Sequence, residues 1–183
     1  MKSKILFSLI GGVILFAWMF LSWAMPNFHK QASSYTTHQS EILQKFVDLQ
    51  LQEGMYMLGQ ADPAASSEEQ AKQYETLDGK SWAVINYHKT MDSDMITPMI
   101  RGFLVDVLIS FLLFWIFLQQ KEPTLMNRLY VSLAVGMIGF FFIPYSGFIW
   151  YKAPDIFAFF ADAIFPWLIL GFIGHKMAKP VAA

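Results

Sequence analysis

Two carboxylates stand inside runs that are otherwise apolar: Asp106 in "LVDVL" and Asp162 in "FADAI". A charge within a membrane-spanning helix costs at least about 2.5 kcal/mol at the centre, so such residues face the bundle interior or a water-filled cavity. Counted from Arg101 and from Asp155, each aspartate lies roughly 7 to 10 Å along its helix, which predicts one shared depth. Arg101 is five residues from Asp106, a step of about 140° round the helix, so its partner is expected on a neighbouring element. Pro166, four residues after Asp162, has no N–H to occupy the Asp162 carbonyl and leaves polar atoms exposed there. Asp106, Asp162, Arg101, Ser110 and Tyr145 thus form the expected intramembrane polar site. Three chemistries suit it: helix pairing through buried hydrogen bonds and an ion pair, proton or cation handling, and binding of a small ligand or lipid headgroup. Two carboxylates sharing a proton are also the device of aspartyl proteases. The surrounding residues contain no Gly-x-Gly-Asp, so that reading is set aside.

A second constellation, "HKTMDSDMITPM" at 88–99, would place His88, Met91, Met95 and Met99 on one side of a helix, and imidazole with thioether suits Cu(I). Thr97 and Pro98 read instead as the N-cap and first turn of the next span, which breaks that register. Methionine is also an adaptable apolar filler, so no metal is expected. His29, His38 and His175 fall outside or at the edge of the apolar runs, which leaves no ligands for a b-type haem. The chain has no cysteine, which removes thiolate metal sites, disulfides, c-type haem and a cysteine nucleophile. Neither H-E-x-x-H, a phosphate-cradling glycine loop nor S-x-x-K occurs. No cofactor and no enzymatic activity are expected.

The elements that must hold these residues follow from hydropathy. With 55% hydrophobic residues gathered in long blocks, the composition is that of an integral membrane protein. Four blocks approach the roughly 20 apolar residues that cross a bilayer core: 5–25, 98–118, 129–149 and 156–174. The first follows Lys2 and Lys4 and reads as an uncleaved anchor rather than a signal peptide, although "SWA" at 22–24 resembles a cleavage site. Ser8 with Gly12, Ser132 with Gly136, and Gly171 with Gly174 have helix-contact spacing. The predicted fold is a mostly α membrane protein: helix 1 within 1–25, a small α+β extracytoplasmic cap in 26–97, and a three-helix region in 98–183. In the cap, Ser40 to Glu53 is amphipathic with Ser40 as N-cap. "GMYML" and "SWAVINYH" read as strands, and Ser66 with Glu69 is a capping box. The cap is short for an independent core and is expected to rest on the membrane part.

Lys2, Lys4, Lys121, Arg128, Lys176 and Lys179 fall on one side of the threaded chain. The positive-inside rule then places both termini in the cytoplasm. A net charge of −1 without a basic field excludes nucleic acid as a partner. The partners expected are the lipid bilayer and either membrane proteins or further copies of the chain.

The run "GGVILFAWMFLSWAM" at 11–25, "EGMYML" at 53–58 and "WYKAPDIFAFFADAIFPWLILGFIG" at 150–174 resembles a family of small uncharacterised bacterial inner-membrane proteins. Its members open on a Gly-Gly, Phe-x-Trp and Ser-Trp helix, carry Gly-x-Tyr in the outer loop and close on a Trp-Tyr-x-x-Pro turn before the last helix. The resemblance implies three or four spanning helices, an outer loop and a bacterial inner-membrane location, and no activity. A small, aromatic-rich chain without catalytic residues is then expected to be an accessory or interaction subunit of a larger membrane assembly. The alternatives are a minimal transporter or an ion- or proton-responsive protein using the intramembrane aspartates, and a lipid- or small-ligand-binding protein.

Overall fold

The computed structural model describes residues 2–25, 27–121 and 124–178. It divides into two compact units, residues 35–93 and the remainder.

Four helices or helix pairs are long and apolar enough to cross a membrane: Lys2–Ala24, Ile96–Leu118, Leu125–Tyr151 and Ile156–Met177. The first two are the continuous helices α1 (Lys2–Ala24) and α4 (Ile96–Leu118). On α1 the buried residues Phe7, Ser8, Gly11, Gly12, Leu15 and Ser22 form a stripe of near-heptad spacing, the seam expected for a close helix partner. Its partner is α4, which runs antiparallel. Phe7 lies against Phe114 and Phe117, and Phe16 meets Phe103 edge-on. Gly11 and Gly12 let the backbones close, since a methyl group there would meet Ser110 and Val107 below 3 Å. The other faces of the spans stay exposed and apolar, as lipid-facing surface requires.

The third and fourth spans pair in the same way, and both are interrupted. α5 (Leu125–Phe140) passes into a π-helical stretch, Phe141–Tyr145, before α6 (Ser146–Tyr151). Pro144 sits in that stretch. Lacking an N–H, it cannot make the i→i−4 bond, and the wider turn accommodates the loss. The fourth span breaks after α7 (Ile156–Asp162) and resumes as α8 (Phe165–Met177), with Pro166 at its start. The expected contact glycines hold here. Gly136 lies against Ala163 and Trp167, Gly171 against Arg128 and Leu129, and Gly174 against Phe117.

These contacts order the bundle along its length. Phe7, Phe117, Arg128 and Gly174 mark one end, which carries the start of α1 and the end of α8. The end of α1, the turn 152–155 and α7 mark the other.

Residues 35–93 form the α+β unit. Helices α2 (Gln39–Asp48) and α3 (Ser67–Leu77) accompany an antiparallel pair, β1 (Gly54–Leu58) and β2 (Ala83–Tyr87), in register from Gly54 opposite Tyr87 to Leu58 opposite Ala83. Phe46 of α2 meets Tyr87 edge-on. The Ser66–Glu69 capping box is formed in both directions, and its hydrogen bond from the Ser66 side chain, then that from the Ser66 backbone, holds the Glu69 carboxyl below its ordinary range. Two details depart from the sequence reading. The residue capping α2 is His38, without a side-chain cap bond, rather than Ser40. Trp82 is 45% exposed and adds little to the core of the unit.

Candidate functional site

Asp162 ends α7, at the point where the fourth span breaks. Its carboxylate accepts three hydrogen bonds: from Trp18 Nε1 at 2.8 Å, from Ser22 Oγ at 2.7 Å and from His29 Nε2 at 2.9 Å. Trp18 and Ser22 are four residues apart on α1 and therefore share a face. An ionised carboxylate only accepts, and three donors converging on it fit that form.

His29 comes from the segment that follows α1. That segment is tied back to the helix by the Phe28 N–H donating to the Ser22 carbonyl and is closed by a turn from Ala32 N–H to the His29 carbonyl. The imidazole is 0% exposed. It stacks on Trp23 at 4.1 Å with rings 3° from parallel, and meets Phe159 edge-on at 4.6 Å. Its second nitrogen, Nδ1, faces Asp155 Oδ2 at 4.0 Å, a carboxylate 1% exposed at the side chain. Neither Nδ1 nor that oxygen has a hydrogen-bond partner among the described residues. Asp155 is held at φ +65° in the turn between the third and fourth spans, a conformation more open to Asp than to most residues. A cavity of about 320 Å³ borders the cluster, lined by Phe28, Gln31, Phe148, Lys152 and Asp155.

The hydrogen-bond inventory defines what the site lacks. If Asp162 is satisfied by an Nε2–H, a neutral imidazole leaves a lone pair on Nδ1 facing the Asp155 carboxylate, so two acceptors oppose each other. One further proton on Nδ1, or a donor set between the pair, completes the network. Among the described residues no group of three His, Cys, Asp or Glu side chains is arranged to hold a metal ion.

The grouping expected from sequence is not formed. Asp162 is bonded, but to Trp18, Ser22 and His29. Asp106 is half-buried and, among the described residues, has no hydrogen bond or ion pair. The two aspartates are not level either. Val107 lies beside Gly12, whereas Asp162 is bound by residues six and ten positions further along α1, roughly 9 to 15 Å away. The depth estimate took Arg101 as the mouth of its helix, but α4 begins at Ile96, which puts Asp106 near mid-span. Arg101 is exposed and, among the described residues, makes no ion pair. Ser110 is fully buried against Gly11 with its hydroxyl unpartnered. Tyr145 lies among Phe140, Phe141 and Phe148, in the π-helical stretch and beside it. The segment from His88 to Met95 is not helical, and Met91 and Met95 are 96% and 68% exposed, so the copper pattern has no helix face to stand on.

Sequence reasoning left out His29, Asp155, Trp18 and Ser22. Trp18 and Ser22 carried a usable signal, two donors at i and i+4 within an apolar helix. His29, outside every apolar run, carried none.

No protein-family model matches the chain, and no curated protein or solved structure matches it.

Proposed function

We propose that this chain is a non-enzymatic, proton-responsive membrane protein whose response runs through the His29, Asp155 and Asp162 cluster. The observation that carries the reading is that His29 Nδ1 and Asp155 Oδ2, both buried, face each other at 4.0 Å and neither has a hydrogen-bond partner among the described residues. A proton arriving at Nδ1 turns the imidazole into a two-sided donor that bridges Asp155 to Asp162. The groups facing it are those two carboxylates, the Trp23 and Phe159 rings, and through Asp162 the Trp18 and Ser22 donors. The imidazolium gains a cation–π contact with the stacked Trp23. Residues 27–32, the turn 152–155 and α7 are thereby clamped together at the end of the bundle, and loss of the proton loosens the clamp. In the inner-membrane orientation read from the lysines, this end faces away from the cytoplasm, where external pH sets the proton supply.

Trp23 supplies the test, because protonated imidazole quenches a stacked indole. Tryptophan fluorescence of the purified protein is expected to fall on acidification, and the fall is expected to vanish in both His29→Gln and Trp23→Phe. A titration unchanged in His29→Gln contradicts the reading.

A second reading rests on Asp106. A half-buried carboxylate near mid-span, without a partner among the described residues, is suited to pairing with a polar group on another helix in the membrane. That supports membership in a larger assembly or a homo-oligomer. Purification in mild detergent tests it: Asp106→Leu is expected to shed partners or copies that co-migrate with the native chain, and a chain that is monomeric and alone in both forms contradicts it.

A further inference from the structure

At the end of the bundle opposite His29, a cation is buried without a counterion among the described residues. Arg128, in the first turns of α5, is 1% exposed. Its guanidinium donates through Nη1 to the Phe117 carbonyl and, at 2.6 Å, to Gln120 Oε1, and it lies 5.0 Å over the Phe117 ring. Among the described residues the buried Nε has no partner and no carboxylate pairs with the guanidinium, whose charge they meet with neutral acceptors alone. A buried charge compensated this incompletely is costly.

Direction and surroundings indicate what would balance it. Gln120 lies beyond the end of α4, so the guanidinium points out of the hydrocarbon toward the interface, as long cationic side chains near helix ends do. Lys121 follows Gln120, and Lys176 stands on the last turn of α8. The start of α5, capped by Thr124, adds the positive end of a helix dipole. Gln120 is only half-buried, and its amide nitrogen also donates to the Asn127 carbonyl at 3.2 Å, so its side chain covers the guanidinium from the interface side.

We propose that Arg128 is the centre of a phosphate-binding site. Gln120 Oε1 holds the position of a phosphate oxygen and swings aside when one binds, and Lys121 and Lys176 draw the anion in. Planar guanidinium donors suit phosphate oxygens, and headgroup phosphates lie at the level of span ends. The phosphate can belong to an anionic lipid or be free in solution, and the two sources are separable.

The test is thermal unfolding of the full chain in neutral detergent with three probes: dioctanoyl phosphatidylglycerol, dioctanoylglycerol with the same chains and no phosphate, and inorganic phosphate. Phosphatidylglycerol is expected to raise the midpoint in proportion to the logarithm of its concentration above saturation, and dioctanoylglycerol is not. An equal shift with inorganic phosphate assigns the site to soluble phosphate, and no shift assigns it to lipid. Arg128→Gln is expected to abolish the response, Lys121→Ser with Lys176→Ser to weaken it several-fold, and Gln120→Ala to strengthen it. If Arg128→Gln does not fold, the last two variants carry the test. Equal shifts with and without the phosphate overturn the proposal, as does a response intact in Arg128→Gln or weakened in Gln120→Ala. Glu122 lies outside the described residues. If Glu122→Gln destabilises the protein and phosphatidylglycerol has no effect, the counterion is that carboxylate and the proposal falls.

Discussion

The two ends of the bundle handle buried charge in opposite ways. At one end Asp162 collects donors from α1 and the following segment, and a second carboxylate, Asp155, waits behind the imidazole. The Asp162 charge is met by donors within the chain. At the other end Arg128 has, among the described residues, a main-chain carbonyl, an amide oxygen and a ring. On the proposals above, the anion is tied into the fold first, whereas the cation is held for something outside the chain.

Substitution at the two ends should therefore differ in size. Asp162→Leu strands the Trp18, Ser22 and His29 donors together and is expected to cost about 3 to 5 kcal/mol, read as the thermal or denaturant midpoint in detergent. Asp162→Asn keeps a side-chain acceptor and is expected to cost about 1 to 2 kcal/mol. Equal losses in the two variants would mean that packing, not polar satisfaction, governs this end.

Gly174→Val sharpens the comparison at the Arg128 end, because a β-carbon there runs into the Phe117 ring. Overpacking of this kind is expected to cost about 1 to 3 kcal/mol and to disturb Arg128 through the same ring. A variant as stable as the native chain would show that the α4 and α8 contact is loose.

A control that touches neither end is Ser66→Ala, which removes the cap of α3 and is expected to cost that helix about 1 kcal/mol, read as faster amide exchange in 67–77. Glu69 has its folded value lowered, so its contribution is present above the ordinary glutamate range and lost as pH falls through the lowered value. Protection of the α3 amides, taken relative to their intrinsic exchange at each pH, that does not fall with acidification would contradict that sign.

The smallest effect is expected at Arg128 itself. Arg128→Met replaces a costly buried charge with an apolar chain of similar length and should be neutral or stabilising without lipid. A large loss would place Arg128 among the structural groups and erase the contrast.

The spans, the capping box, both strands and the contact glycines were legible in the sequence because each rests on local pattern: hydropathy length, a fixed i to i+3 reciprocity, aromatic and β-branched enrichment, and small residues at helix-contact spacing. The site was legible only in part. Asp162 showed itself as a charge in an apolar run, and its partners did not, because His29 and Asp155 lie in connections whose path depends on tertiary closure. Depth was misjudged for a related reason. Arg101 looked like a helix mouth, yet Asp94 accepts from the N–H groups of Ile96 and Thr97 and starts α4 earlier. Arg128 read as one more loop cation, since nothing in its neighbours announces that Phe117 and Gln120 fold over it.

The central claim, that the cluster takes up a proton between His29 and Asp155, is tested most directly by the imidazole nitrogens themselves. In protein labelled with ¹⁵N-histidine, and with His29→Gln to assign its signals among the four histidines, the expected result is an Nε2 that stays protonated throughout and an Nδ1 that gains its proton on acidification. Asp155→Asn should suppress that step, and the Trp23 change with it, since the amide can donate to Nδ1 without a proton. A His29 whose Nδ1 remains bare across the range in which the fluorescence changes would contradict the claim.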